Sequence, residues 1–131
     1  MSTPGLINIP VTPGELLDRL TILAIKRRWI TASEKLLNIN REWTRLDALR
    51  RQQVPMDTYL ESLIIALETV NQTLWDIEDA IREHERRQDF GATFVELARQ
   101  VYLNNDRRSQ LKQQIDSHLR SPWREEKSYV A

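Results

Sequence analysis

The sequence predicts an all-α protein: a single domain of 131 residues folded as an antiparallel bundle of four to five helices, with one long, central, coiled-coil-like helix. Three observations predict it. The chain has only three glycines, too few for turn-rich β structure. Leu60, Leu63, Leu67, Val70, Leu74, Ile77 and Ile81 recur at heptad spacing without a break, a seam of three heptads. Breaker pairs punctuate the chain at Thr12-Pro13-Gly14, Val54-Pro55 and Ser121-Pro122, with Gly91 between the last two.

Residues 1–11 read as an extended N-terminal segment, because Pro4 and Pro10 resist helix. Thr12 then caps a first helix running to about Ile30, with Pro13 at its first position and Glu15 placed to complete a capping box. Leu16, Leu17, Leu20, Ile22, Leu23, Ala24, Ile25, Trp29 and Ile30 wrap most of its circumference, as expected of a helix contacted on several sides. A second helix begins or continues at Thr31 or Ser33 and ends at Val54-Pro55; Leu36, Ile39, Trp43, Leu46 and Leu49 form its stripe. Asp57 caps the third and longest, to about Arg87, which carries the heptad seam. At about 45 Å such a helix overhangs a domain of this size and seeks cover from a second chain, so a homodimer is expected. Gln88-Asp89-Phe90-Gly91 ends it, with Gly91 as the pivot and Asp89 as a cap. The stretch 92–119 is one helix with a polar waist at Asn104–Arg108, or two helices joined there. Residues 121–131 read as an irregular tail.

Charge narrows the functions. The formal net charge is zero, from 19 basic and 19 acidic side chains, which argues against nucleic acid as a partner. The total conceals blocks of +4 over residues 1–55, −7 over 56–98 and +3 over 99–131. These blocks are suited to setting which surfaces pair. Without cysteine there are no disulfides, thiolate nucleophiles or Cys-based zinc sites, and two histidines supply little else, so no metal and no cofactor is expected. Asp76, Asp79 and Glu83 share a helix face that could hold Mg2+ through oxygens but reads more simply as solvated. No apolar run approaches membrane-spanning length, and the start lacks a signal-peptide pattern, so the expected compartment is the cytoplasm, with no membrane partner.

The candidate site residues are polar groups on apolar faces. Asn71, Trp75, Glu78 and Arg82 share one face beside the seam. Tyr102, Asn105, Arg108 and Lys112 share another, and Glu15, Arg19 and Lys26 a third, with Asp18 at its margin. If these faces meet inside the bundle, arginine forks can grip a carboxylate or phosphate. The competing interpretation is that the charges pair with one another and set helix register.

Several stretches resemble one family. Pro13–Lys26 (PGELLDRLTILAIK), Asn71 with Leu74–Asp79, Leu97-Ala98-Arg99 with Val101-Tyr102, Asn105–Arg108, and the terminal Glu125–Tyr129 (EEKSY) together look like the motifs of an uncharacterised bacterial family of small all-helical proteins, a domain of unknown function. The resemblance implies that Glu15, Asp18, Lys26, Asn71, Trp75, Glu78, Asn105, Asp106 and Arg107 are the marked positions. It implies no reaction.

Two functions are consistent with these features. One is a non-enzymatic, self-associating interaction or accessory protein, with a second copy or another protein as partner. The other is a binding protein or enzyme for a small anionic metabolite, held between helices by Arg19, Lys26, Arg82, Arg107 and Arg108, with Glu78 as acid or base.

Overall fold

The Thr12 hydroxyl accepts the Glu15 N–H at 3.2 Å, and Pro13 follows in the first turn, where its missing N–H costs nothing. A computed structural model of the chain describes residues 4–122. They form four helices: α1 (Pro13–Trp29), α2 (Ser33–Gln53), α3 (Thr58–Arg87) and α4 (Ala92–His118). No strand occurs among the described residues. The expected motif at 125–129 lies outside them, as does the tail from residue 123.

The helix ends follow local chemistry. Only half of the expected capping box forms: the Glu15 carboxylate is engaged by Arg19 and Lys112. Ile30 leaves the helical region at ψ 127°, which separates α1 from α2, and α2 starts at Ser33 behind Ala32 without a side-chain cap. Asp57 caps α3 by accepting the Leu60 N–H at 2.7 Å. The turn after α3 does not pivot on Gly91. Gln88 takes the left-handed conformation (φ 56°), while the Asp89 N–H reaches back to the His84 carbonyl. Gly91 is instead the N-cap of α4, and its N–H is received by the Asp89 carboxylate. The polar waist does not divide α4, which runs through it as one helix.

The central helix is α1, not α3. It packs against all three others, whereas the backbone of α2 approaches α1 alone. Leu16, Leu17 and Leu20 of α1 meet Leu60, Leu63, Leu67 and Val70 of α3 and Leu111 and Ile115 of α4, with Val54 closing one side. Each such side chain contributes ~1.5–3 kcal/mol when fully buried. Most of the heptad seam of α3 is therefore spent inside its own chain: Leu60, Leu63, Leu67, Val70 and Ile77 are buried, while Leu74 and Ile81 stay half-buried.

The helices differ in length, and that sets the shape of the bundle. At 17 residues α1 spans about 25 Å, against about 45 Å for the 30 residues of α3. Buried positions in α3 stop at Ile77, and in α4 they begin only at Leu111. The outer half of the α3–α4 hairpin thus projects past α1 with no fully buried residue.

Close approach of α1 to α4 depends on Gly14. A Cβ there would lie 2.5 Å from the Lys112 carbonyl oxygen and 2.8 Å from an Asp116 carboxylate oxygen. The Gly14 N–H donates to that same carboxylate at 2.7 Å. Gly14→Ala is expected to destabilise the fold by about 1–3 kcal/mol, the range for over-packing. An unchanged urea midpoint would contradict this packing.

Candidate functional site

The inner side of α1 carries a buried carboxylate. Asp18 is 1% exposed and points at the junction of α1, α3 and α4. A lone carboxylate there would be very costly, so its partners define the site. Asn71 of α3 donates from Nδ2 to Asp18 Oδ1 at 2.9 Å and to Thr21 Oγ1 at 2.8 Å. The Thr21 hydroxyl donates to the Asp18 backbone carbonyl at 2.7 Å. From α4, Arg108 forks across the carboxylate, Nε to Oδ1 at 2.9 Å and Nη2 to Oδ2. No buried side-chain nitrogen or oxygen lacks a hydrogen-bond partner among the described residues.

A cleft of about 490 Å³ opens above this network. It is lined by Ile22 and Ile25 of α1, by Asn71, Leu74, Trp75, Glu78, Asp79 and Arg82 of α3, and by Arg108 of α4. Apolar residues and the Trp75 indole form its walls. Asn71 and Arg108 belong both to the cleft and to the Asp18 network, while Glu78, Asp79 and Arg82 are exposed on its rim. Five residues singled out from sequence, Asn71, Trp75, Glu78, Arg82 and Arg108, therefore converge on one cavity of ligand size.

The remaining candidates lie elsewhere. Glu15 sits one turn before Asp18 and binds Lys112 Nζ at 2.8 Å and Arg19 Nε at 3.1 Å. Burial pushes the Glu15 carboxyl up, but Lys112 and Arg19 outweigh it and hold the pKa below the ordinary value. Arg19 is thereby an exposed partner of Glu15 and not part of the cleft. Lys26 is half-buried on α1, Asn105 is half-buried on α4, and Asp106 and Arg107 are exposed; none of them lines the cavity. Of the five cations named for an anion pocket, only Arg82 and Arg108 reach the cleft, and Arg108 is already bound to Asp18.

Sequence reasoning missed the apolar lining residues Ile22, Ile25 and Leu74, which read as ordinary core, and set Asp79 on an acidic face with Asp76 and Glu83, not at the cleft. It also missed Asp116, which is 2% exposed. The signal was present: Arg108, Lys112 and Asp116 fall at successive i,i+4 positions along one face of α4, and all three serve α1.

Arg108→Ala would leave the Asp18 carboxylate buried with Asn71 as its remaining side-chain donor. A loss of about 3 kcal/mol is expected, at the low end for breaking a buried pair, since the Arg108 side chain is 30% exposed and water can follow. A loss below 1 kcal/mol in chemical denaturation would contradict the clamp. Glu15 adds a pH dependence. Because its folded pKa is depressed, its contribution is complete above the ordinary carboxylate range and is lost as pH falls through it. The wild-type midpoint should decline as pH falls from the ordinary carboxylate range through the lowered Glu15 pKa, and Glu15→Gln should flatten that decline; parallel curves would contradict it.

No curated protein matches the chain, and neither does any solved structure. A match to one family spans residues 7–131, nearly the whole chain. The chain belongs to the family of unknown function DUF6165.

Proposed function

We propose that the protein binds a small molecule in the cleft between α1, α3 and α4. The observation that carries this reading is the convergence there of Asn71, Trp75, Glu78, Arg82 and Arg108. Apolar walls with a few convergent polar groups are the usual composition of a ligand pocket. The network beneath supplies rigidity, since Asn71 and Arg108 are held by Asp18 before any ligand arrives. Pure anion capture fits the rim less well than the sequence suggested, because Glu78 and Asp79 face the same space as Arg82.

Thermal unfolding against a panel of sugar phosphates, nucleotides, carboxylic acids and amino acids tests the proposal. A ligand at a hundred times its Kd adds about 2.7 kcal/mol, a shift of several degrees. That shift should disappear in Trp75→Ala while the fold is retained. Arg108→Ala is the wrong probe, because it also removes the Asp18 clamp. Absence of any shift across the panel would overturn the proposal.

The projecting hairpin favours a second reading, self-association. Phe90, Val95, Tyr102 and Leu103 are 41–53% exposed on its outer half, where α1 no longer reaches. Two such hairpins, one from each of two copies, would complete a four-helix bundle and cover these side chains. This replaces the α3 seam, mostly buried in its own chain, as the reason to expect a dimer. Sedimentation should give a dimer at micromolar concentration, weakened at least about tenfold in Val95→Arg by a charge placed in an apolar contact. A wild-type monomer would overturn this reading.

A further inference from the structure

Glu78 and Arg82 stand one turn apart on α3, acid first, the order in which an i,i+4 ion pair is most favourable. Elsewhere the same spacing closes: Glu15 with Arg19 at 3.1 Å on α1, and Glu83 with Arg87 at 3.0 Å on α3. Glu78 and Arg82 are different. Both line the cleft, and among the described residues neither is in an ion pair. The rim therefore presents a carboxylate and a guanidinium separately, reinforced by Asp79 on the acidic side. The same cleft is lined by the Trp75 ring and by the half-buried aliphatic side chains of Ile22 and Leu74, with the buried Ile25 behind them.

An anion alone would meet Arg82 but also the field of two carboxylates, and a cation alone would leave Arg82 unanswered. A ligand with both charges satisfies both at once. We propose that the cleft takes a zwitterion with an apolar body, of the class of an amino acid with an apolar side chain. Its ammonium group faces Glu78 and the Trp75 ring, its carboxylate meets the Arg82 guanidinium, and its side chain lies on Ile22 and Leu74. This inference rests on the cleft being a binding site and adds the chemistry of its occupant.

Calorimetric titration of the whole chain with two matched series tests it. The first is phenylalanine, 3-phenylpropionate and 2-phenylethylamine; the second is leucine, 4-methylpentanoate and 3-methylbutylamine. Within each series the body is kept and one charge is removed. The zwitterion should bind at least about tenfold more tightly than either singly charged analogue, the weight of one charge-assisted hydrogen bond. Glu78→Gln should erase the advantage over the carboxylate analogue, and Arg82→Gln the advantage over the amine. A singly charged analogue that binds as tightly as its zwitterion, or variants that leave the ranking unchanged, would overturn the inference. If neither series binds while another member of the metabolite panel shifts the melt, the zwitterion assignment falls and the binding cleft stands. If nothing binds at all, both fall.

Discussion

The structure depends on one buried carboxylate. Asp18 lies on the inner side of the most apolar helix, at 1% exposure, and its charge can stay there only while other helices bring donors to it. Asn71 arrives from α3 and Arg108 from α4, so a single side chain dictates the register of three helices at once. The second tie lies about one turn away, where Gly14 lets α4 come close enough for Asp116 to accept its N–H and Glu15 holds Lys112. Apolar burial supplies the bulk of the driving force but tolerates sliding, whereas these charged contacts do not.

The cleft is a consequence of that clamp. Asn71 and Arg108 face Asp18 and so hold α3 and α4 at a fixed spread over α1, and the space left above them is the cavity. The groups best placed to meet a ligand are those the clamp does not consume: Trp75, Glu78, Asp79 and Arg82, all on α3. The same separation accounts for two of the arginines that the sequence offered for an anion. Arg108 is fixed by Asp18 and Arg19 by Glu15, before any solute enters.

Much of the fold was legible in the residues. The caps at Thr12 and Asp57, the stop at Val54 and the four helical stretches follow from local rules, and the all-round apolar surface of Leu16–Ile25 correctly marked α1 as contacted on several sides, although the long α3 was expected at the centre. The face Asn71-Trp75-Glu78-Arg82 was legible for the same reason, since helical periodicity places those residues together whatever packs on them. What local pattern does not contain is which faces meet. The α3 seam looked like a dimer contact because a heptad repeat is the same whether its partner is another chain or α1 and α4. The Gln88 turn was illegible for a different reason: a left-handed turn with a glycine three residues on is naturally assigned to the glycine, and here the chain used Gly91 as a cap.

The most direct test of the central role of Asp18 is native-state hydrogen exchange on wild type and Asp18→Asn. In wild type, the inner amides of α1, of α3 up to Ile77 and of α4 from Leu111 should exchange at one common, highest free energy. Those of α2, which has a single buried residue and whose backbone packs only on α1, should exchange at a lower one. Asp18→Asn should lower the first set together, as one unit losing its clamp. Loss of protection confined to α4, or an α2 as protected as α1, would contradict the account.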